Sequence, residues 1–241
     1  MIPWVQLDRA EMPGGGELRL MQRGREFSIM LGATELMNSR LSGSEEALAT
    51  LAFSKLHNRD RPHVLIGGLG MGFTLRASLA ALGAGARIDV AELVPAVVRW
   101  ARGPLGEIFG PSLDDPRVAI REGDVGDLIR QSPATYDAIL LDVDNGPEGL
   151  TREANDALYD VVGLGAARAA LRSGGVLAVW ASGPDRDFTQ RLRRIGFAVE
   201  EARVRANGSR GGARHVIWLA TRSDAARPQS GDRTRTGPRR A

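Results

Sequence analysis

Three acidic residues stand where short apolar stretches of the sequence end. Glu92, Asp124 and Asp142 each follow such a stretch by one to three residues. A carboxylate can accept hydrogen bonds from ribose hydroxyl groups, stabilise a bound cation or take up a proton from a reacting group. These three side chains are therefore the first candidates for chemistry in this chain.

A glycine cluster precedes all three acids. It comprises Gly67, Gly68, Gly70 and Gly72. An apolar stretch at residues 63–66 precedes the cluster, and residues 73–82 follow it with apolar side chains at helical spacing, which predicts the start of a βαβ unit. The glycines let the backbone turn sharply and come close to a ligand, and the helix N-terminus supplies free N–H groups. Glu92 lies about 20 residues further on, where it could hold a ribose diol, so the stretch predicts a nucleotide-type ligand.

The elements that position these residues follow an alternating pattern. Five predicted strands alternate with helices, and a terminal hairpin follows; the strands lie at residues 63–66, 87–91, 117–121, 136–141 and 176–181, and the hairpin pairs residues 197–206 with 214–220. This order predicts an α/β fold: a doubly wound, mostly parallel Rossmann-like sheet with helices on both faces and one antiparallel strand. Because parallel strands end at the same edge, the glycine turn and the three acids would converge on one crevice.

The beginning of the chain predicts a small β element. Residues 17–21 and 27–31 alternate in polarity around a turn, and a third strand could follow near residues 34–37. A lone hairpin is marginal in water, so it must pack on the main domain or on a second subunit. We therefore divide the chain into an N-terminal β-hairpin element (1–41), a nucleotide-binding α/β domain (42–221) and a disordered Arg-rich tail (222–241).

Two helix ends carry specific signals. Ser42 and Glu45 have the spacing of a capping box at the start of a helix. A longer helix at about residues 152–171 is predicted to end at Ser173-Gly174-Gly175, as a glycine C-cap.

The composition excludes several classes of site. The 241 residues contain no cysteine, which excludes disulfides, thiolate metal sites and cysteine nucleophiles. The three histidines share no local metal-ligand spacing, so no metal is predicted. The sequence shows neither a signal peptide nor an apolar run long enough to cross a bilayer, which predicts a cytoplasmic protein with no membrane partner.

The basic charge of the chain is concentrated at its end. The formal net charge is +3, and residues 222–241 alone contribute +4 from six arginines and two aspartates. The remaining residues are therefore nearly neutral, and a nucleic acid is not a predicted partner.

Several stretches match one known family in order and spacing. They are residues 64–68 with Gly72, residues 90–93 with Val97, residues 115–118 leading to Gly123-Asp124, and residues 136–142 with Gly146-Pro147. With these stretches the sequence resembles the class I S-adenosylmethionine-dependent methyltransferase fold and, within it, the spermidine synthase (polyamine aminopropyltransferase) family. The resemblance spans roughly residues 16–221 and includes the N-terminal β element.

The resemblance implies a role for each matched residue. The glycine loop would bind an S-adenosyl donor, Glu92 would hold the ribose hydroxyl groups, and Asp124 would accept a hydrogen bond from the adenine amino group with Val125 beside the ring. Asp142 would position and deprotonate the attacking amine. The donor would be S-adenosylmethionine or its decarboxylated form, the other substrate an amine, and the assembly a homodimer.

The sequence also departs from the family pattern. Gly70 occupies the position of an acid in the usual glycine loop. Asn145 replaces the second acid of the family's D-x-x-D-P signature, with Asp144 displaced by one position; both are candidates for substrate binding. The family's Y-Q-E stretch falls near Ser44-Glu45-Glu46, which has no tyrosine.

Three hypotheses about function remain open at this point. The first is a transferase that moves an aminopropyl group to an amine, or a methyl group if the donor is S-adenosylmethionine. The second is an NAD-dependent oxidoreductase, since a βαβ unit followed by Glu92 suits that ligand too. The third is a non-catalytic protein that binds an S-adenosyl metabolite. A structural role is also open for Asp124 as a helix N-cap, and for Asp142 and Asp144 in an Asx turn.

Overall fold

The computed structural model describes residues 2–57, 59–143 and 157–223. The strands are β1 (Val5–Glu11), β2 (Glu17–Arg23), β3 (Glu26–Leu31), β4 (Thr34–Asn38), β5 (His63–Gly67), β6 (Arg87–Glu92), β7 (Val118–Glu122), β8 (Tyr136–Leu141), β9 (Leu171–Ala181), β10 (Phe197–Arg205) and β11 (Arg214–Arg222). The helices are α1 (Gly43–Ser54), α2 (Phe73–Ala81), α3 (Pro95–Arg102), α4 (Gly106–Phe109), α5 (Val125–Gln131), α6 (Val161–Ala170) and α7 (Arg186–Arg194). Short 3-10 helices lie at Gly110–Asp114 and Gly208–Arg210.

The main sheet has seven strands in the order β7-β6-β5-β8-β9-β11-β10. The pairs from β7 to β9 are parallel, and β11 is antiparallel to both of its neighbours, β9 and β10. This arrangement confirms the predicted mostly parallel sheet with one antiparallel strand. A dinucleotide-binding sheet of the usual order has no antiparallel strand inserted before its last one, so the order argues against the oxidoreductase hypothesis.

Apolar side chains on both faces place the sheet at the centre of the molecule. Every residue of β8 is buried, because successive side chains point to opposite faces and both faces are covered. Ile66 and Leu140 belong to a core shared with α1, α2 and α3. Leu65 and Ile139 belong to a second core shared with α5, α6 and α7. The sheet is therefore doubly wound, as predicted.

The N-terminal element is a four-stranded antiparallel sheet in the order β1-β2-β3-β4. Strand β1 was not predicted from the sequence, because its side chains are nearly all exposed and form no apolar face. The sheet packs on the main domain, since Leu18, Leu20 and Ile29 are buried in the same core as α1 to α3. The indole N–H of Trp100 in α3 also donates to Asp8 Oδ2 at 2.7 Å. Packing within the chain thus supplies the support that a hairpin needs.

One predicted helix end was wrong, and the capping box predicted at another does not form. Helix α6 ends at Ala170, and Leu171 is already extended and paired with Tyr136 of β8, so Ser173-Gly174-Gly175 lies inside β9 rather than at a C-cap. Gly174, with φ +71°, lies within the register shift of this strand pair. Ser42 does begin α1 as its N-cap, but its side chain makes no capping hydrogen bond, because Glu45 is turned into a cavity instead. Strand β11 ends at Arg222 and so includes the first residue of the predicted tail.

Candidate functional site

A cleft of about 780 Å³ lies at the carboxyl ends of the parallel strands, between the main sheet and the N-terminal sheet. The main domain lines it with Gly68, Gly70, Ala91, Glu92, Leu93, Val94, Val97, Gly123, Asp124, Val125, Asp142 and Val143. The N-terminal sheet and its first loop contribute Met12, Leu18, Ile29, Leu36 and Met37. The structure therefore brings the three strand-end acids to one crevice, as the alternating pattern predicted.

The glycine loop packs closely against its surroundings. A Cβ on Gly68, where φ is +92°, would lie 2.5 Å from the main-chain carbonyl oxygen of Asp142. A Cβ on Gly72 would lie 2.3 Å from the ring of Phe109, and one on Gly67 would lie 3.0 Å from Val125. Gly68 and Gly70 line the cleft, whereas Gly67 and Gly72 do not. The glycines thus bring the loop onto β8 and α4 as well as leaving its backbone open to a ligand.

Glu92 ties the glycine loop to the end of β6. Its Oε2 accepts a hydrogen bond from the Leu69 N–H at 3.0 Å, and its Oε1 accepts one from the Val94 N–H at 2.8 Å. The side chain is 7% exposed, and burial raises the pKa of Glu92 although the backbone N–H groups oppose that rise. Each carboxylate oxygen has a further lone pair, so this residue can shape the loop and also accept from a ligand hydroxyl.

Asp124 is the N-cap of α5. Its Oδ1 accepts a hydrogen bond from the Gly126 N–H at 2.7 Å, which is the structural role considered from the sequence. The residue nevertheless lines the cleft together with Val125, the first residue of the helix. One carboxylate oxygen is used in capping, which fixes the side chain in position at the edge of the cleft.

Asp142 lies where the cleft meets a second cavity. Its Oδ2 accepts a hydrogen bond from the buried Thr74 hydroxyl at 2.8 Å. Burial, together with the nearby charge of Glu45, raises the pKa of Asp142 to about 7, and the Thr74 hydrogen bond limits that rise. A carboxylate that titrates near neutral pH can take up a proton during a reaction and release it afterwards.

The second cavity, of about 600 Å³, combines apolar side chains with two acids. It is lined by Leu36, Met37, Glu45, Leu69, Gly70, Met71, Gly72, Phe73, Asp142 and Trp180. Burial raises the pKa of Glu45, and the charge of Glu46 adds to the effect. Among the described residues, no lysine, arginine or histidine lines either cavity. The two connected cavities therefore suit cationic ligands.

Several residues of the site could not be identified from the sequence. Thr74 and Trp180 occur in ordinary helix and strand patterns, and only Leu18 and Ile29 of the N-terminal lining were marked by their alternating polarity. Asp144 and Asn145, the candidates for substrate binding, lie outside the described residues. Within the described part of the chain, no three His, Asp or Glu side chains are grouped so as to hold a metal ion. None of the described helices has the length and apolar character to cross a membrane.

Comparison with known proteins gives a consistent result. No family model matches the chain. The sequence is 33% identical over 120 residues to polyamine aminopropyltransferase 1 of Streptomyces coelicolor, a match that spans 48% of this chain and 22% of that protein. The spermidine synthase from Thermotoga maritima superposes with a TM-score of 0.71 at 19% identity, covering 90% of this chain and 73% of the other.

A second solved structure supports the same fold. A probable spermidine synthase from Corynebacterium glutamicum superposes with a TM-score of 0.64 at 16% identity, covering 91% of this chain and 80% of the other. The chain therefore shares the fold of these spermidine synthases, which is the class I methyltransferase fold.

Proposed function

We propose that this protein transfers an aminopropyl group from decarboxylated S-adenosylmethionine to an amine. The similar Streptomyces protein is a polyamine aminopropyltransferase, and the cleft and the second cavity, which share Met37, Gly70 and Asp142 in their walls, offer separate places for a nucleoside-containing donor and a smaller acceptor. The larger cleft would take the donor, with Glu92 on its ribose and Asp124 and Val125 beside its adenine. The smaller cavity would take the amine, and a homodimer remains a prediction.

The observation that carries the proposal is the sign of the charges around the cavities. The ionisable side chains that line them in the described part of the chain are Glu45, Glu92, Asp124 and Asp142, all acids. Decarboxylated S-adenosylmethionine carries a sulfonium and an ammonium, both positive. S-adenosylmethionine carries an additional carboxylate, which would find no described cation and would be repelled by the acids. The charges therefore favour aminopropyl transfer over the methyl transfer that was the alternative.

The chemistry follows from the position of Asp142 between the cavities. The acceptor must lose a proton before its nitrogen can attack carbon, and the Asp142 carboxylate can accept that proton because its pKa is close to neutral. The nitrogen then forms a bond to the aminopropyl carbon while the carbon–sulfur bond breaks. The sulfur keeps the electron pair and leaves as a neutral thioether. Thr74 would hold the carboxylate in one orientation through its hydrogen bond.

Calorimetric titration with the two donors tests the proposal directly. We expect the decarboxylated donor to bind at least about tenfold more tightly than S-adenosylmethionine. Mass spectrometry of mixtures with a panel of amines should then show aminopropylated product. Tighter binding of S-adenosylmethionine would overturn the donor assignment. Tight binding of the decarboxylated donor with no product from any amine would instead indicate a non-catalytic binding protein.

A substitution in the cavity wall tests the physical reason for the preference. Met37 lines both cavities, and its sulfur lies against Gly70. A Met37→Lys variant would place a cation among the acids, so it should weaken binding of the decarboxylated donor about tenfold and reduce the discrimination against S-adenosylmethionine. Met37→Leu is the matched control for the loss of the thioether. Equal effects of the two substitutions would show that charge does not set the preference.

A further inference from the structure

A short chain of hydrogen bonds links Glu45 in α1 to His215 in β11 through Ser44. The Ser44 hydroxyl donates to Glu45 Oε2 at 2.8 Å, and His215 Nδ1 lies 3.0 Å from the same Ser44 oxygen. Ser44 is fully buried, whereas His215 in β11 is partly exposed. The chain therefore leads from the acidic side of the second cavity, through a buried hydroxyl, to an imidazole that reaches solvent.

The directions of these hydrogen bonds depend on whether Glu45 is ionised. When Glu45 is ionised, the one hydroxyl proton of Ser44 is donated to it, so the imidazole donates through Nδ1–H to the Ser44 oxygen. This tautomer leaves the other ring nitrogen of His215 without a proton. If Glu45 instead carries a proton, both hydrogen bonds can reverse, with Glu45 donating to Ser44 and Ser44 donating to Nδ1.

We propose that Glu45, Ser44 and His215 form a proton relay that carries the proton of the acceptor ammonium from the second cavity to solvent. The inference rests on the proposed function, because that reaction releases one proton beside Asp142 and Glu45 in the second cavity. Asp142 accepts the proton first and shares it with Glu45, its acidic neighbour across the cavity. Glu45 and His215 act through other groups in this scheme and are positioning and relay residues.

The relay step balances without any additional reactant. Protonated Glu45 gives its proton to the Ser44 oxygen while Ser44 gives its own proton to His215 Nδ1. The imidazole, which carries a proton on its other nitrogen in that state, becomes a cation and releases that second proton to solvent. Glu45 is then ionised again and accepts from Ser44, and the imidazole carries its proton on Nδ1. The ring regains the receiving tautomer when the Nδ1 proton is lost and the other nitrogen takes up a proton from solvent, so each turnover releases one proton in total.

The surroundings of His215 suit this role. The Trp180 ring, which also lines the second cavity, packs on the imidazole edge to face with ring centroids 4.7 Å apart. Burial lowers the pKa of His215, so the ring is neutral at rest and gives up an added proton readily. The charged groups nearest in the sheet are Arg214, which precedes it in β11, and Arg205, which pairs with Arg214. On α1, Glu45 and Glu46 are the titratable neighbours of Ser44.

NMR titration of the imidazole tests the coupling without requiring turnover. The chain has three histidines, so a His215→Gln variant assigns the resonance of His215. Removing the Glu45 charge in a Glu45→Gln variant should lower the pKa of His215 measurably, and Ser44→Ala should reverse the tautomer preference seen in the ring nitrogen shifts. The exposed His57 should titrate identically in every variant. A His215 titration curve unchanged in both Glu45→Gln and Ser44→Ala would overturn the relay.

Steady-state kinetics test whether the coupling serves the reaction. His215→Ala should lower kcat about tenfold, with little change in the KM for the donor, and added imidazole should restore part of the rate. Ser44→Thr, which keeps the hydroxyl, should retain more activity than Ser44→Ala, and His57→Gln is the matched control. A His215→Ala variant with the wild-type kcat at every pH would overturn the relay. Absence of product in the wild-type protein would instead overturn the proposed function, while the NMR result would still decide whether the three groups share a proton.

Discussion

The two ends of the main sheet both contain carboxylates, but only those at one end have cationic partners within the chain. At the amino ends of the parallel strands, Asp89 and Asp137 have cationic partners within the chain. At the carboxyl ends, Glu92 and Asp142 have hydrogen-bond donors but no described cation. The same sheet therefore holds one set of acids that is neutralised internally and another that is not.

We call the amino end closed because its acids pair with cations of the same chain. Asp137 is 1% exposed, pairs with Arg172 at 2.7 Å and Arg59 at 3.3 Å, and also accepts the main-chain N–H of His63 at 2.8 Å. Burial raises the pKa of Asp89, but the His63 hydrogen bond at 2.7 Å and the charges of His63 and nearby arginines outweigh it, so the net pKa is lowered. The lowered pKa favours the ionised form of Asp89, and Asp137 has two arginines within salt-bridge distance, although its Oδ1 accepts no hydrogen bond.

We call the carboxyl end open because its acids have no cationic partner among the described residues. The pKa values of Glu45, Glu92 and Asp142 are all raised, in each case with burial as the largest cause. Ionised carboxylates without a counter-charge are unfavourable inside a protein, and a cationic ligand relieves that cost when it binds. The comparison indicates that the direction of the pKa shift of an acid in this fold depends on whether the chain provides a cationic partner for it.

The largest expected effect comes from removing Asp142 at the open end, the acid that we propose as the base. Asp142→Asn should lower kcat for aminopropyl transfer by about 100-fold or more, because the amide cannot take up the amine proton. The same change should not lower the free energy of unfolding at neutral pH, because it removes an unpaired carboxylate. Initial rates and urea unfolding measure the two quantities. A variant that keeps its turnover would exclude Asp142 as the base.

The corresponding substitution at the closed end should have the opposite outcome. Asp137→Asn should lower the free energy of unfolding by about 2–3 kcal/mol, because it leaves Arg59 and Arg172 without their shared partner, while kcat of the folded enzyme stays near that of wild type. Asp114→Asn is the control, since its pair with Arg102 is mostly exposed. If Asp137→Asn and Asp114→Asn were equally stable, the closed network would not be a source of stability.

The open end was largely predictable from sequence because its main residues follow local patterns. Glu92, Asp124 and Asp142 each come at or just after the end of an apolar strand, and the edge of a parallel sheet brings such positions together. The strand β8 was predicted at its observed bounds, since six successive buried positions have a clear apolar signal. The fold class followed from the alternation of strands and helices.

The remaining features depend on contacts between distant parts of the chain. From the sequence, Glu45 was interpreted as half of a capping box and, through the resemblance, as one of two possible acids of the amine pocket. Local spacing does not show that α1 brings this side chain near Asp142, about 100 residues later. The link from Ser44 to His215 spans 171 residues and joins a helix to the antiparallel strand β11. The role of the N-terminal sheet as a cleft wall is likewise set by tertiary packing.

The pH dependence of stability should have opposite signs at the two ends, with about 1.4 kcal/mol for each unit by which a pKa is shifted. The pKa of Asp142 is raised from 3.8 to about 7, so wild type should lose stability relative to Asp142→Asn as the pH rises through that interval, with no further loss above it. The lowered pKa of Asp89 has the reverse consequence: its contribution is present above pH 3.8 and is lost as the pH falls below that value. Asp89→Asn should therefore be less stable than wild type at neutral pH and approach it in acid. Urea unfolding of the three proteins across this range measures both differences, and two differences of the same sign would mean that the ends of the sheet do not differ in the way that their partners indicate.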